Sequence, residues 1–278
     1  MKNLRIIPKL DIKNQNLVKG VSLEGLRVLG NPRDFVEKYY KEGADEIIYH
    51  DVVASLYQRN SLSSLIKSTS ENIFLPMLAG GGIKNTKQVE NILNSGADRV
   101  FLNTAALDNP SIIDEIVKKY GSSTLVVSIE VVNSEEKYTC RKDFGREETN
   151  KELINWAKEI ESRGAGEIIV TSIDSDGTGE GFDLKIAEKL SKNLSIPFII
   201  NGGISSIEHI DKLIKVSTPS GFAIGSAFHY GNLDTNFVKP ENSDGNVDFL
   251  KKKQNYKNFK KLSIKDLKNY LKKKFKKN

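Results

Sequence analysis

The sequence predicts an α/β fold, a (β/α)₈ TIM barrel built from two homologous half-barrels. The first observation behind this prediction is an internal repeat: LAGGGIK at 78–84 returns as INGGIS at 200–205, and EIIYHD at 46–51 returns as EIIVTS at 167–172. A spacing of about 120 residues is too long for a solenoid unit and fits half of a domain. The second observation is that short apolar runs and longer amphipathic runs alternate eight times, which is the pattern of a closed parallel barrel.

The predicted strands are nearly continuous in Val, Ile, Leu and Phe, as expected for parallel strands buried on both faces. They cover 4–10, 46–51, 74–79, 99–102, 124–130, 167–171, 197–201 and 221–225. The predicted helices cover 31–43, 60–71, 85–95, 110–119, 149–163, 183–193, 206–215 and 263–274. A doubly wound open sheet is the alternative, but the two-half symmetry and the glycine-rich ends of the third and seventh strands favour the closed barrel.

The chain is predicted to form one domain over residues 1–278. Its half-barrels span about 1–120 and 121–230, a polar insertion follows over about 231–256, and a terminal basic helix covers about 263–274. Residues 13–30, after the first strand, form a long polar stretch that is typical of a mobile loop over a site.

Composition narrows the classes of protein that the chain can belong to. With 278 residues and 38% hydrophobic side chains it can bury a core, so global disorder is excluded. It contains no apolar run long enough for a membrane span and no signal-peptide pattern, so a cytoplasmic location is predicted. The single cysteine, Cys140, has no second cysteine to pair with and no cluster of histidines near it in the sequence. Neither an internal disulfide, a metal site nor a cofactor is therefore predicted.

The net charge of +6 is concentrated at one end of the chain. Residues 251–278 hold 13 lysines and one aspartate, so the rest of the chain carries a net negative charge. A lysine-rich tail can contact nucleic acid, membrane or an acidic partner, but a solvated helix is the simpler interpretation. No specific nucleic-acid binding is therefore predicted.

Glycines and polar residues follow equivalent strands in the two halves, where they predict two phosphate sites. Glycines let backbone N–H groups approach an anion, and hydroxyl groups and helix N-termini can complete the site. A single Gly-Gly pair could serve only to turn the chain, but two pairs at equivalent places favour binding. The predicted substrate- and phosphate-binding residues are Gly81, Gly82, Asn103 and Thr104 in the first half, and Thr171, Asp176, Gly177, Gly202, Gly203, Gly225 and Ser226 in the second.

Two carboxylates, Asp11 and Glu130, end the first and fifth strands and are counterparts in the repeat. We expect them to face each other across the barrel mouth, where such a pair can divide general acid and general base duties. The alternative is that one of them is a structural ion-pair partner of Lys9 or Lys19. Lys19 itself could reach a substrate from the polar stretch.

Four charged residues of alternating sign lie near strand starts, at the opposite end of the barrel. They could form a salt-bridge ring that closes the barrel floor, although residue types alone do not distinguish this from a ring that only adds stability. The four residues are Arg5, Glu46, Arg99 and Glu167.

The motifs RIIP at 5–8, LD at 10–11, VKG at 18–20, DVVAS at 51–55, GGGI at 80–83, NTAA at 103–106, RGAGEI at 163–168, TSID at 171–174 and DGT at 176–178 resemble the HisF family. Members of this family are the cyclase subunits of imidazole glycerol phosphate synthase. The resemblance covers about residues 4–230 and the last helix.

The resemblance implies a heterodimer with a HisH-like glutaminase, which supplies ammonia through the barrel. The implied substrate is PRFAR, which carries a phosphate at each end, and the products are imidazole glycerol phosphate and AICAR. The family's acid–base pair matches Asp11 and Glu130, and its loop lysine matches Lys19. Its ammonia gate matches the four charged floor residues, with Arg99 in place of the usual lysine.

Two departures from the family pattern leave alternatives open. Glu130 stands where the family has Asp, and Lys9 stands beside Asp11 where a small residue is common. A HisF-like ammonia-channelling partner in the amidation of a surface-polysaccharide sugar, without cyclase activity, is therefore a second interpretation. A related sugar isomerase of the histidine pathway is a third, which the RIIP start and the floor residues disfavour.

Overall fold

A computed structural model describes residues 4–54, 62–134, 137–231, 259 and 262–276. Eight parallel strands form its centre, and each of them has two parallel neighbours. In chain order they are β1 (Arg5–Lys13), β4 (Ile47–Asp51), β5 (Met77–Gly80), β6 (Arg99–Leu102), β7 (Leu125–Ser134), β10 (Glu167–Ser172), β11 (Phe198–Asn201) and β12 (Gly221–Ile224).

The sheet closes on itself because the first and last of these strands pair in parallel. Arg5 of β1 lies in register with Gly221 of β12, and on its other side β1 pairs with β4. β7 in turn pairs with β6 and β10, which joins the two halves. The fold is therefore the predicted (β/α)₈ barrel, and the open doubly wound sheet is excluded.

Helices follow the barrel strands at the predicted places. They are α1 (Pro32–Glu42), α2 (Leu62–Ser70), α3 (Thr86–Asn94), α4 (Thr104–Asp108), α5 (Ser111–Tyr120), α6 (Leu153–Ser162), α7 (Leu184–Asn193), α8 (Ile207–Val216), α9 (Ser226–Gly231) and α10 (Ile264–Lys276). A 3₁₀ turn covers Ser122–Thr124. The short helices α4 and α9 were not predicted, and each begins directly after a barrel strand at the mouth.

Side-chain caps fix the starts of α1 and α3. The Asn31 side chain accepts a hydrogen bond from the Arg33 amide ahead of α1, and the Asn85 side chain accepts one from the Gln88 amide at the start of α3. Each cap satisfies a backbone donor that would otherwise lack a partner in the helix.

The prediction of a loop over 13–30 is wrong. β1 continues to Lys13 and turns into an antiparallel hairpin of β2 (Asn16–Val21) and β3 (Glu24–Gly30). A second hairpin, β8 (Lys137–Lys142) and β9 (Glu147–Glu152), extends β7 in the same way, so the helix predicted from residue 149 begins only at Leu153. Both hairpins depend on pairing with a barrel strand, which local sequence does not reveal.

The predicted insertion over 231–256 lies outside the described residues, apart from Gly231. The predicted terminal helix is confirmed as α10, and its buried Ile264, Leu267 and Leu271 form the apolar stripe that packs on the barrel. The division into half-barrels at about residue 120 stays a prediction.

The barrel interior is arranged in layers, because alternate residues of each strand point inward. The middle layer takes one apolar side chain from each of the eight barrel strands: Ile7, Ile48, Leu78, Phe101, Val126, Ile169, Ile199 and Ala223. This apolar layer separates a charged floor at the strand starts from a polar mouth at the strand ends.

Candidate functional site at the barrel mouth

Asp11 and Glu130 occupy matching places in the two halves, as the repeat predicts. Asp11 of β1 lies in register with His50 of β4, and Glu130 of β7 lies in register with Thr171 of β10. Both carboxylates are buried, with 1% and 4% of their surface exposed. Two buried carboxyl groups therefore occupy equivalent positions in the two halves.

Ammonium groups contact both oxygens of Asp11. Lys9 Nζ donates to Oδ1, and Lys19 Nζ donates to Oδ2 at 3.0 Å. His50 Nδ1 lies 3.6 Å from Oδ1. Burial alone would raise the pKa of Asp11, but Lys19, Lys9 and His50 outweigh it and hold the pKa well below its usual range.

Lys19 joins Asp11 to the second half of the site. Its Nζ also donates to Asp176 Oδ2 at 2.6 Å, and although burial opposes the charged form, the two carboxylates raise the pKa of Lys19. The hairpin that carries Lys19 packs tightly against the turn that carries Asp176 and Gly177, since a Cβ at Gly177 would lie 2.3 Å from the Gly20 carbonyl oxygen. The lysine is consequently a fixed part of the mouth.

Glu130 lies in the opposite electrostatic environment. Its Oε2 accepts a hydrogen bond from the Gly145 amide at 2.9 Å, and no lysine or arginine of the described chain forms an ion pair with it. Burial raises the pKa of Glu130 to about 7, against the opposing effects of Lys9 and the Gly145 amide. A buried carboxyl group that titrates near neutrality can both donate and accept a proton at working pH.

The predicted phosphate residues of the first half surround an open cavity of about 370 Å³, together with Glu130. Two members of this group also bind the β8–β9 hairpin: Asn103 donates through Nδ2 to the Arg141 carbonyl, and Thr104 accepts from the Asp143 amide. Lys84 and Phe144 line the same cavity and were not predicted. The cavity brings Gly81, Gly82, Asn103, Thr104 and Glu130 together.

The second half presents the same residue pattern around a much smaller space, of about 10 Å³. The ring of Phe259 lines it, packs on Gly179 and lies 5.3 Å from the ring of Tyr230 between centroids. Phe259 belongs to the segment before the last helix, and its place here was not predicted. The predicted residues that the space brings together are Asp176, Gly177, Gly202, Gly203, Gly225 and Ser226.

The two glycine turns have the same backbone conformation. The φ angle is 113° at Gly81 and 112° at Gly202, in the region that favours glycine. A Cβ would lie 2.2 Å from the Asp51 carbonyl oxygen at the first position and 2.8 Å from the Ser172 carbonyl oxygen at the second. The repeat in sequence is thus a repeat in geometry. The predicted binding residue Thr171 lies in the second half near the end of β10, in register with Glu130, and its hydroxyl accepts from Asn201 Nδ2 at 2.9 Å.

The four charged floor residues form a ring, as predicted. Arg5 bonds to Glu46 at 2.7 Å and to Glu167, and Arg99 bonds to Glu167 at 2.7 Å and to Glu46 at 3.4 Å. Burial raises the pKa of Glu46 despite the two arginines. At Glu167 burial is outweighed by Arg5, Ser220 and Arg99, so the pKa of Glu167 is lowered. The Ser220 hydroxyl and the shorter contact with Arg99 both act on Glu167 and contribute to the difference.

Sequence reasoning missed the aromatic residues of the mouth. The His50 ring meets Phe101 and Phe144 edge-on, with centroids 5.1 and 5.3 Å apart. These rings pack against His50 next to Asp11, and burial together with Lys9 lowers the pKa of His50. Phe101 could have been singled out from the sequence, because it is the one aromatic residue among the strand residues that form the apolar layer.

The described residues contain no group of three or more His, Cys, Asp or Glu side chains arranged to hold a metal ion. None of the helices in this part of the chain has the length and apolar character that crossing a bilayer requires.

The family described as "Histidine biosynthesis protein" matches residues 5–234, a range that includes all eight barrel strands and both glycine turns. Relatives named imidazole glycerol phosphate synthase subunit HisF narrow the assignment. The Legionella pneumophila protein is 48% identical over 76% of this chain and 100% of its own length. Those of Bacillus cereus (strain G9842) and Thermococcus onnurineus are 39% and 40% identical over 88% and 84% of this chain, and 97% and 93% of theirs. The chain belongs to the HisF family of synthase subunits, which are cyclases of the lyase class.

Proposed function

We propose that this chain is the cyclase subunit that converts PRFAR to imidazole glycerol phosphate and AICAR, with ammonia from a HisH-like glutaminase partner. The observation that carries the proposal is the pair of matching glycine turns on either side of two buried carboxyl groups. The HisF names of the relatives favour this function over the ammonia-channelling alternative in sugar amidation. A cytoplasmic location stays a prediction.

The substrate's two phosphates fit the two half-sites. We assign one phosphate to the cavity at Gly81, Gly82, Asn103 and Thr104, whose volume accommodates it. We assign the other to the second half-site, where the Ser226 hydroxyl is buried without a partner among the described residues and is available to an anion. The space of about 10 Å³ there is roughly that of one water molecule, so binding requires the Phe259 ring to move.

The carboxyl groups between the phosphates serve the ring closure. Ammonia condenses with the substrate carbonyl, whose oxygen leaves as water, the imidazole ring closes and AICAR leaves, and these steps need proton transfer next to a stable negative charge. Asp11 and Glu130 supply these two properties, and Lys19 keeps Asp11 and Asp176 in place. Their contrasting environments separate the two roles, as in other enzymes that use a carboxyl pair.

The charged ring supplies the entrance for ammonia. It lies at the strand starts, on the face opposite the carboxyl pair, so a glutaminase docked there would deliver ammonia along the barrel axis. Ammonia is small and uncharged, so it can cross the apolar layer, whereas ammonium and other hydrated ions are excluded from it.

The first test is PRFAR turnover by the purified protein with a saturating ammonium salt at alkaline pH, without a glutaminase. We expect steady release of imidazole glycerol phosphate and AICAR. Thr104→Val and Ser226→Ala should each raise KM for PRFAR, because each removes one hydroxyl from a different phosphate site. A folded protein that leaves PRFAR unchanged would overturn the proposal.

A further inference from the structure

We infer that Lys9 is a positioning residue that holds Asp11 as a fixed anion, so that Glu130 is the one member of the carboxyl pair that exchanges protons. The inference rests on the proposed function for its role in turnover, although the state of the two carboxyl groups can be measured without substrate.

The first step of the argument is the charge balance around Asp11. Lys9 and Lys19 contribute two ammonium groups, and Asp11 and Asp176 contribute two carboxylates. The set is neutral and its side chains are at most 7% exposed. A proton on Asp11 would leave two buried ammonium groups facing a single carboxylate, which is a costly arrangement.

The second step is the hydrogen bonding of Asp11. Each of its oxygens accepts a bond from a different ammonium group, and such charge-assisted bonds are about twice as strong as neutral ones. Lys9 is two residues from Asp11 on the same strand, so both side chains point into the barrel. Its position is also fixed from behind, because His229 Nε2 donates to the Lys9 carbonyl at 2.9 Å.

The third step is the contrast with Glu130. Its one described hydrogen bond comes from a neutral backbone amide, and the residue lines the open cavity of the first half-site. The charged groups that act on it are Lys9 and Asp11 of β1 and Asp176 of the turn after β10, and their effects partly cancel. Protonation therefore breaks no ion pair, and the proton lies where a bound substrate can receive it.

The experiment is an infrared pH titration of the substrate-free protein, which follows the carbonyl stretch of protonated carboxyl groups across neutral pH. We expect a band in the wild type that is absent in Glu130→Gln and retained in Asp11→Asn. Glu46→Gln is the matched control, since it removes a buried carboxyl group at the floor and should leave this band. A neutral-pH band that is lost in Asp11→Asn and kept in Glu130→Gln would overturn the inference.

Variants of Lys9 test its own role. In Lys9→Met the Asp11 carboxyl loses a cation, so a second protonated-carboxyl band should enter the titration at higher pH than in the wild type, whereas Lys9→Arg should prevent it. A purely structural role for Lys9 would change stability in both variants without adding a band. If Lys9→Met does not fold, the spectra of the wild type, Asp11→Asn and Glu130→Gln still decide which carboxyl group exchanges protons.

Kinetics provide the link to turnover. At constant free ammonia, the neutral limb of the pH dependence of kcat/KM should persist in the residual activity of Asp11→Asn and disappear in Glu130→Gln. Without PRFAR turnover in the wild type the proposed function fails, while the infrared bands still decide the inference.

Discussion

At the scale of single residues, environment rather than chemical type separates the two mouth carboxyl groups. Asp11 and Glu130 occupy equivalent strand positions, yet two ammonium groups contact the first and a backbone amide contacts the second. Residue identity predicted the pair, but the difference between its members follows from Lys9 and from burial.

Replacement of Glu130 by Asp should reduce turnover, although Asp is the usual residue of the family. The site is built around Glu, because Oε2 reaches the Gly145 amide at 2.9 Å. A shorter side chain withdraws the carboxyl group by about 1 Å, and a displacement of that size can cost ~10²-fold in rate. The measurement is kcat with saturating ammonium salt, and a gain in kcat would contradict the expectation.

Burial of a neutral histidine should make the protein less stable in mild acid. His229 lies between the Tyr39 hydroxyl and the Lys9 carbonyl, and burial lowers its pKa to about 3. The unfolded chain binds this proton near pH 6.5, so stability present above that pH falls towards pH 3, by up to about 1.4 kcal/mol per pH unit.

Urea unfolding of His229→Gln at several pH values checks this expectation. The variant should lose stability at neutral pH and show a flatter dependence below pH 6.5 than the wild type. Tyr39→Phe is the control, because it removes one hydrogen bond but keeps the buried imidazole and hence the steep dependence. Equal slopes in the wild type and His229→Gln would refute the assignment.

At the scale of elements, the glycine turns are fixed by close backbone approach. Gly81→Ala should destabilise the protein by about 2–4 kcal/mol, since the new Cβ would lie 2.2 Å from the Asp51 carbonyl oxygen. Gly43→Ala is the matched control, with φ of 86° but open space around the Cβ, and should cost about 1 kcal/mol. Denaturant unfolding measures both, and equal losses would show that only φ matters.

At the scale of the whole molecule, the barrel separates a charged floor from a charged mouth by one apolar layer. Arg99→Met leaves the buried Glu46 and Glu167 with Arg5 as their remaining arginine, which should cost about 2–4 kcal/mol. It should also reduce glutamine-dependent turnover in the complex while ammonia-dependent turnover is kept.

The control for this variant is Lys192→Met, which breaks an exposed pair with Glu188 and should change stability by less than about 0.5 kcal/mol. Thermal unfolding and the two activities together decide the case. An equal loss of both activities in Arg99→Met would place the effect at the mouth rather than at the floor.

The sequence by itself determined the barrel, its eight strands, the matching glycine turns and the residues of the floor ring. These features are encoded locally, in apolar runs of strand length and in a repeat that places like residues at like strand ends. The spacing of two along one strand also places Lys9 and Asp11 on the same face of β1.

Tertiary structure alone decided the two hairpins, the contact of Lys19 with Asp176 and the position of Phe259. One strand of each hairpin pairs with a barrel strand, and Lys19 and Asp176 lie 157 residues apart, so no local pattern contains these contacts. Tertiary structure also decides the proton affinity of Glu130, because burial and neighbouring charges set it. Both exist only once the barrel has closed.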